Sequence, residues 1–288
     1  MADKSEKIGV LGAGTMGAGI AQVSAQGGFD TLLFDIKQEF IDSGMGRIRG
    51  YLKGSRERGK ITAEEERRIL NRLHDTTRLE DFKDRHLIIE AVPEQLELKR
   101  EIFKKVDALC GPETLIATNT SSFSVTAIAA ATQVQERILG LHFFNPPPLM
   151  ALVEVIQGDR TSKAAIETAI NLMRQMGKTP AQAKDTPGFI VNRIARPFYN
   201  EALRVLGDGS ASVETIDRIM KQAGNFRMGP FELMDLIGND INFAATESLY
   251  RSFFEDARFR PSPIQHRMVM GGNLGRKTGR GFYVYDKK

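Results

Sequence analysis

The sequence predicts an α/β protein in which a doubly wound parallel sheet is followed by an all-α second domain. Apolar strand-like runs alternate with helix-like segments up to residue 185, a pattern typical of a sheet with helices on both faces. Beyond residue 185 such runs are scarce, and apolar residues recur with helical spacing. These two observations predict one domain at residues 1–185 and a second at residues 186–288.

Six strand-like runs make up the predicted sheet. Each is apolar on both faces, as required of a strand that is covered from both sides. A helix-like segment at residues 94–110 separates two of them. In chain order the runs are KIGVLG, TLLFD, HLIIEAV, LIATNTS, RILGLHFF and LVEVIQG.

The second domain is predicted to begin after a break at Thr186-Pro187-Gly188, because proline is poorly tolerated inside a helix. Pro230 is expected in the first turn of a later helix. The high apolar content of this second domain predicts that it also buries a face against a partner chain. The three segments with helical periodicity are GFIVNRIARPFYNEALRVLGDG, ASVETIDRIMKQAG and GPFELMDLIGNDINFAATESLYRSF.

Composition limits the classes of partner and compartment. A formal net charge of +4 over 288 residues is too weak to indicate nucleic acid, but it suits a small anionic ligand. No apolar run approaches the roughly 20 residues of a membrane helix, and no signal peptide is recognisable. The single cysteine, Cys110, excludes an internal disulfide and favours a reducing compartment. We therefore expect a cytoplasmic protein without a membrane or nucleic-acid partner, and no metal centre.

The residues between the first strand and the first helix predict a Rossmann-type dinucleotide site. Gly12 supplies the unusual backbone angles of the turn, Gly14 lets a pyrophosphate approach the main chain, and Gly17 lets the helix pack on the strand. The helix start then offers its N–H groups to the phosphates. Asp35 ends the second strand at the spacing expected of an acid that binds the adenosine ribose. A carboxylate there repels a 2′-phosphate, so NAD is favoured over NADP.

His142 is the candidate general base. Histidine commonly removes a hydroxyl proton near neutral pH, and His142 ends an apolar strand, where open α/β sheets bind ligands. Glu154 lies in another apolar run, where an unpaired carboxylate is costly to bury. If the two runs are adjacent strands, Glu154 can fix the imidazole tautomer. The alternatives are a structural histidine and a partly exposed strand glutamate.

Three further polar residues are substrate candidates with open alternatives. Ser121 and Ser122 follow the strand LIATNTS, where a hydroxyl can bind a substrate oxygen or cap the next helix. Asn192 lies in the first turn of the helix after the Pro-Gly break. It either caps that helix or points into the cleft expected between the two domains, and the residues alone do not decide between these.

Taken together, these motifs resemble the short-chain 3-hydroxyacyl-CoA dehydrogenases, and among them the bacterial 3-hydroxybutyryl-CoA dehydrogenases. The resemblance runs over nearly the whole chain. It implies NAD-dependent, reversible oxidation of a (3S)-3-hydroxyacyl-CoA, such as 3-hydroxybutyryl-CoA, to the 3-oxoacyl-CoA. It also implies a helical substrate domain that forms a homodimer. The motifs that carry it are GVLGAGTMGAGIA, EAVPEQLELK, NTSSFSVT, GLHFFNPPPLMALVEVI, DTPGFIVNRI and GRKTGRGFYVY.

The resemblance also implies roles for individual residues. It makes His142 and Glu154 the catalytic pair, with Ser121 and Asn192 binding the substrate. Gln95 departs from the family, which usually has asparagine there. On the basic segment RIRGYLKGSRERGK, Arg56, Arg58 and Lys60 either meet the CoA phosphates or form a solvated helix face. The implied cofactor contacts are Gly12, Gly14, Thr15, Met16, Gly17, Asp35, Glu94, Lys99, Ser121, Asn145 and Lys277.

Two other functions fit part of the same pattern. A dehydrogenase of a free hydroxy acid, such as L-gulonate, would use the same catalytic group, because both substrates carry a hydroxyl β to a carboxyl or thioester. A non-catalytic NAD-binding protein would bind nucleotide without turning over any 3-hydroxyacyl-CoA. The pairing of His142 with Glu154 argues against this second alternative.

Overall fold

A computed structural model describes residues 6–286. The chain divides between Thr186 and Pro187 into two compact units, which are described separately below. Among the described residues, every helix falls short of the length and apolar character that crossing a lipid bilayer requires.

The first unit is built on a single sheet, with the strand order β3-β2-β1-β4-β5-β6-β7-β8. The strands are β1 (Lys7–Leu11), β2 (Asp30–Phe34), β3 (Leu73–Thr76), β4 (Leu87–Glu90), β5 (Leu115–Thr118), β6 (Ile138–Phe143), β7 (Leu152–Gln157) and β8 (Thr179–Lys184). The helices are α1 (Thr15–Gln26), α2 (Gln38–Glu57), α3 (Ala63–Leu70), α4 (Leu96–Leu109), α5 (Val125–Ala129) and α6 (Lys163–Gln175).

Helices cover both faces of this sheet, which confirms the predicted doubly wound fold. Neighbouring residues of β4 show the arrangement, because side chains alternate between the two faces of a strand. Ile88 packs in one buried apolar cluster with Phe103 of α4, and Ile89 packs in another with Ile20 of α1. The central strands are therefore apolar on both faces, as their sequences predict.

The sheet departs from the prediction at its edges. Strands β3 and β8 were not predicted, because their sequences, LHDT and TPAQAK, lack an apolar run. Most of their residues are exposed or half-exposed, as is common in edge strands. The sheet is parallel, as predicted, except at β7, which pairs antiparallel with β6. The connection between them, residues 144–151, is too short for the crossover that a parallel pair needs. Strand β8 then pairs parallel with β7.

The second unit is helical, as predicted. Its small core includes Tyr199, Leu203, Phe231 and Met234. The helices are α7 (Val191–Gly207), α8 (Val213–Gln222), α9 (Pro230–Ile237), α10 (Asn239–Ser252) and α11 (Pro263–Met270).

Two helix boundaries in the second unit test the prediction directly. Helix α9 begins at Pro230, with Gly229 as its N-cap, which confirms the proline start. The continuous periodicity predicted after it is interrupted, because Gly238 takes φ of +104° between α9 and α10. Only glycine adopts that backbone conformation readily, so the chain turns there despite an uninterrupted apolar pattern.

A buried aspartate attaches the motif GRKTGRGFYVY to α9. Both carboxylate oxygens of Asp235 accept backbone N–H groups, from Phe282 and Tyr283, each at 3.0 Å. The Tyr285 hydroxyl also donates to Oδ2 of Asp235, at 3.0 Å. Burial, followed by the charge of Asp235, raises the pKa of Tyr285 to about 12. Asp235 thus fixes the C-terminal segment to the helical core, and Asp217 of α8 adds a hydrogen bond from the Tyr283 hydroxyl at 2.9 Å.

Candidate active site

Two of the three glycines in the first turn are required by the fold itself. Gly12 has φ of +100°, and a Cβ there would lie 2.7 Å from the carbonyl oxygen of Ala91. A Cβ on Gly17 would overlap the carbonyl oxygen of Gly12. These contacts allow β1, α1 and the end of β4 to approach closely, as the glycine pattern predicts.

Gly14 is different, because packing does not explain it. Its φ of −64° suits any residue, and a Cβ there would meet none of the described atoms within 4 Å. Helix α1 starts directly after it, with no side-chain hydrogen bond to its N-cap from the described residues and no acid in its first turn. An uncapped helix start beside an open glycine fits an anionic group such as a pyrophosphate.

Asp35 lies beside this turn, at the end of β2. Its carboxylate accepts the N–H groups of Ala13 and Ile36, each at 2.7 Å, and it remains half-exposed. It borders a cleft of about 500 Å³ that also includes the glycine turn, Thr15 and Met16. Apolar side chains, among them Phe34, Val92 and Ile102, line the same cleft. An acid for ribose and apolar walls for a flat base suit the adenosine half of NAD.

His142 and Glu154 form the central polar pair of the first unit. They are register partners on β6 and β7, so the antiparallel pairing sets them opposite each other on one face of the sheet. The imidazole Nδ1 lies 2.6 Å from Oε2 of Glu154. Exposure is 6% for His142 and 0% for Glu154, so the hydrogen bond is shielded from water. With Nδ1 engaged by the carboxylate, Nε2 becomes the nitrogen that can exchange a proton with a substrate.

The turn that follows β5 is held by Glu94. Its Oε1 accepts the Thr120 hydroxyl at 2.5 Å, the Ser122 hydroxyl at 2.8 Å and the Ser121 N–H at 3.2 Å. Ser124 caps α5 instead of Ser121 or Ser122, which removes the capping alternative for both. The Ser122 hydroxyl donates its hydrogen bond to Glu94, whereas Ser121 is an exposed residue of the turn.

Lys99 links Glu94 to a second carboxylate, that of Glu90. Its Nζ lies 3.0 Å from Oε2 of Glu94 and 2.7 Å from Oε1 of Glu90. Burial alone would raise the pKa of Glu94. The charge of Lys99 and the hydroxyls of Thr120 and Ser122 outweigh that effect, and they hold this pKa below its usual value.

Asn145 lies on the connection between β6 and β7, where it is exposed and precedes a cis bond to Pro146. Lys178 fastens this connection. Its Nζ donates to the carbonyl oxygens of Pro147, at 2.6 Å, and Met150, at 3.0 Å. Burial lowers the pKa of Lys178. The segment directly after the His142 strand is therefore held by a lysine that sequence reasoning did not single out.

Two predicted site residues belong to the second unit. Asn192 is the second residue of α7 and is half-buried. Lys277 forms an ion pair with Asp240 at 2.6 Å. Their predicted roles in substrate and cofactor binding stay predictions.

The three cations predicted on the basic segment at the end of α2 differ in their surroundings. Arg56 is paired with Glu66 at 2.8 Å. Arg58 and Lys60 are exposed at and just beyond the end of the helix. Both interpretations of this segment, a CoA contact or a solvated face, stay predictions.

Sequence reasoning missed Glu90 and its neighbour Thr118. Glu90 is fully buried at the end of β4, and its Oε2 accepts the Thr118 hydroxyl at 2.7 Å. A signal was present, because Glu90 ends the apolar run HLIIE as Asp35 follows the apolar run TLLF. An acid at the carboxyl end of a buried strand indicates either a ligand or a buried partner.

Two family models match the chain. The 3-hydroxyacyl-CoA dehydrogenase NAD binding domain matches residues 7–186. The 3-hydroxyacyl-CoA dehydrogenase C-terminal domain matches residues 188–285. The first unit is therefore an NAD-binding domain, and NAD is the cofactor that it binds.

Individual proteins are similar over the whole chain. The 3-hydroxyadipyl-CoA dehydrogenase of Escherichia coli K12 is 46% identical, over 96% of this chain and 58% of that protein. The probable 3-hydroxybutyryl-CoA dehydrogenase of Deinococcus radiodurans is 46% identical, over 97% of this chain and 100% of that protein. The crystal structure of (S)-3-hydroxybutyryl-CoA dehydrogenase from Ralstonia eutropha has a TM-score of 0.94 at 43% identity, covering 99% and 100% of the two chains. The chain thus spans little more than half of the first relative and all of the other two.

Proposed function

The chain belongs to the 3-hydroxyacyl-CoA dehydrogenase family, and we propose that it oxidises a short-chain (3S)-3-hydroxyacyl-CoA, such as 3-hydroxybutyryl-CoA, with NAD, and catalyses the reverse reduction. The observation that carries this proposal is the buried pair of His142 and Glu154, joined at 2.6 Å. The names of the full-length relatives support the short acyl chain.

His142 acts as the base in this proposal. Its Nε2 takes the proton from the C3 hydroxyl of the substrate, because Nδ1 is held by Glu154. The buried carboxylate stabilises the imidazolium that forms and keeps the ring in one tautomer. In the reverse direction the imidazolium returns this proton to the oxygen of the 3-oxoacyl-CoA.

The glycine turn, the start of α1 and Asp35 would hold NAD, since they offer N–H groups to phosphates and a carboxylate to ribose hydroxyls. When bound, NAD supplies the acceptor for the hydride that leaves C3. The carboxylate of Asp35 disfavours the extra phosphate of NADP by charge repulsion. The other proposed cofactor contacts are Thr15, Met16, Glu94, Lys99, Ser121, Asn145 and Lys277.

Substrate contacts are assigned to the exposed turn and to the second unit. Ser121 is proposed to hold the substrate oxygen, on a turn whose backbone Glu94 fixes. Asn192 is proposed to bind the same substrate from α7, and Arg58 and Lys60 to meet the CoA phosphates. Fixing the reacting carbon in this way lowers the entropy cost of the reaction.

A homodimer through the second unit and a cytoplasmic location complete the proposal. Helices α7, α9 and α10 leave large apolar side chains exposed, including Ile194, Leu236 and Ile241. Large apolar side chains left in water are common at protein interfaces, and these exposures support the proposed homodimer. The proposed location is supported by Cys110, the single cysteine, which is buried and is a free thiol, as is common in a reducing compartment.

Initial-rate kinetics test the proposed activity. The chain is assayed with acetoacetyl-CoA and longer 3-oxoacyl-CoAs, each with NADH and with NADPH, and separately with L-gulonate and NAD. We expect turnover of acetoacetyl-CoA with NADH in preference to NADPH. Turnover of L-gulonate alone would replace this proposal with the hydroxy-acid alternative. Nucleotide binding without turnover of any substrate would support the non-catalytic alternative.

A further inference from the structure

Both carboxylate oxygens of Glu90 accept hydrogen bonds. Oε1 accepts Lys99 Nζ at 2.7 Å and the Val92 N–H at 2.8 Å. Oε2 accepts the Thr118 hydroxyl at 2.7 Å. Glu90 and Thr118 are register partners at the ends of β4 and β5, so the sheet fixes this carboxylate rigidly.

Lys99 depends on this carboxylate. It lies in the first turn of α4 with 1% of its surface exposed, between Glu90 and Glu94. A lysine so buried keeps its charge only where opposite charges and hydrogen bonds replace water. The two glutamates therefore share one ammonium group, and the position of Lys99 is set from both sides.

The other end of this network reaches a turn with a proposed catalytic role. Glu94 uses Oε2 for Lys99 and Oε1 for the Thr120 hydroxyl, the Ser121 N–H and the Ser122 hydroxyl. A continuous series of contacts therefore joins the end of β4 to the backbone of Ser121. A shift of Lys99 toward Glu94 would rotate the Glu94 carboxylate. Its Oε1 would then accept the hydrogen bonds of the turn in a poorer geometry.

We propose that Glu90 is a positioning residue, which acts through Lys99 and Glu94 to hold the turn that carries Ser121. The inference rests on the proposed role of Ser121 in substrate binding. In Glu90→Gln, the amide is similar in shape but uncharged, so Lys99 is attracted to Glu94 alone. The carboxylate of Glu94 then turns away from the Thr120–Ser122 hydroxyls, and Ser121 loses its fixed place.

A double-mutant cycle separates this role from a general loss of stability. We expect Glu90→Gln to lower kcat for acetoacetyl-CoA reduction by about 10- to 100-fold, the effect of a misplaced reacting group. In a Ser121→Ala background the same change should cost only about twofold, because the two residues act in one series. Additive effects of Glu90→Gln and Ser121→Ala would overturn the inference.

Asp107→Asn is the matched control. Asp107 is another buried carboxylate of the first unit, paired with Arg137 at 2.7 Å. Its side chain also accepts the Gln133 N–H, and among the described residues it makes no hydrogen bond or ion pair with the Ser121 turn. Its effect on kcat, whatever its size, should be additive with Ser121→Ala. Coupling of equal size in this control cycle would show that any buried ion pair has the same effect, which contradicts a specific role for Glu90.

Thr118 provides a milder test if Glu90→Gln folds poorly. The Thr118 hydroxyl donates to Glu90 and also accepts the Thr120 N–H, at 3.2 Å. Thr118→Val removes both contacts and leaves both ion pairs in place, so it loosens the turn through Glu90 and directly, and it should lower kcat in the same coupled manner. Thr118→Ser keeps the hydroxyl and should restore it. Equal activity of the two variants contradicts the inference. Wild-type turnover is measured first, because its absence would overturn the proposed function instead of the role of Glu90.

Discussion

At the scale of single residues, the pair of His142 and Glu154 shows why a buried carboxylate is tolerated inside an apolar strand. Glu154 would be costly to bury alone, and its hydrogen bond to the imidazole offsets that cost. The same bond engages Nδ1, so the proposed proton transfer is assigned to Nε2. One contact therefore contributes both to folding and to the proposed chemistry.

His142→Gln tests the proposed base directly. We expect kcat to fall by a factor on the order of 10² to 10⁴, the usual contribution of a positioned acid–base group. NADH affinity, measured by fluorescence titration, should stay close to that of wild type, because the glycine turn is untouched. His74→Gln is the control, since His74 is exposed on β3 and should leave kcat unchanged. Full activity of His142→Gln would refute the assignment.

Residue chemistry was the part of the site most open to prediction. A histidine at the end of an apolar strand and a glutamate inside another are unusual enough to be identified individually. Lys99 shows the opposite case. A lysine in a helix with charged neighbours is typical of a solvated surface, so nothing local indicated that it is buried between two glutamates. Its burial depends on which strand ends the sheet brings beside α4.

At the scale of elements, the turn between β1 and α1 combines two kinds of glycine. Gly12 and Gly17 serve backbone packing, whereas the place beside Gly14 is open. The order of the glycines in the motif predicts these uses, although the three residues are chemically identical. The structure separates the glycines that fold the turn from the glycine that leaves room for a ligand.

The variants Gly14→Ala and Gly17→Ala should therefore behave differently. Gly17→Ala places a methyl group on the carbonyl of Gly12 and should lower the free energy of unfolding by about 1–3 kcal/mol. Gly14→Ala should lower it by no more than about 1 kcal/mol, the cost of a poorer N-cap, but weaken NADH binding. Denaturant unfolding without cofactor and NADH titration measure the two quantities. Equal destabilisation by both changes would contradict this distinction.

The attachment of the C-terminal segment to α9 predicts a specific pH dependence. Burial, followed by the charge of Asp235 and its hydrogen bond, raises the pKa of Tyr285 to about 12 from 10.0. The fold therefore favours the neutral phenol, and this contribution to stability is complete below pH 10. This contribution is lost as pH rises from about 10 to about 12. Tyr285→Phe should reduce the free energy of unfolding by about 1–2 kcal/mol at pH 8.

The difference between wild type and Tyr285→Phe should then shrink as the pH approaches 12. Denaturant unfolding at a series of pH values between 8 and 12 measures this trend. Tyr250→Phe is a suitable control, because Tyr250 has no hydrogen bond to a carboxylate among the described contacts. A difference that is constant with pH would show that Tyr285 contributes by packing alone.

At the scale of the whole molecule, the exposed apolar side chains of the second unit favour association of two chains. Ile241 on α10 is 56% exposed, and Leu236 on α9 is 50% exposed. Ile194 on α7 is 69% exposed, and burying such apolar side chains against a partner chain would be favourable.

Ile241→Glu should therefore shift a dimer toward the monomer. Sedimentation equilibrium over a range of concentrations measures the change, and we expect the apparent dissociation constant to rise by at least about tenfold, as for a charge placed in an interface core. Lys105→Glu, an exposed charge change on α4, is the control and should leave the association unchanged. A wild-type chain that is monomeric at all concentrations would contradict the proposed homodimer.

The sequence pattern alone predicted the order of strands and helices, but it did not predict the direction in which each strand runs. Alternating strand and helix signals predicted the sheet, and the break at Pro187 marked where they stop. Strand β7 reads as apolar in either direction, so only the short connection from β6 sets it antiparallel. Gly238 likewise divides a continuous helical pattern through its backbone angles, which an apolar periodicity does not record.

The antiparallel pairing of β6 with β7 has a consequence for how this chain tolerates change in length. Side chains alternate along a strand, so slippage by a single residue would carry Glu154 to the far side of the sheet, away from the imidazole. Substitutions within residues 144–151 leave that alignment intact, whereas an inserted or deleted residue endangers it unless a bulge absorbs the change. The alignment of His142 with Glu154 thus depends on the hydrogen-bond ladder, and insertions or deletions along this hairpin should be far rarer than replacements.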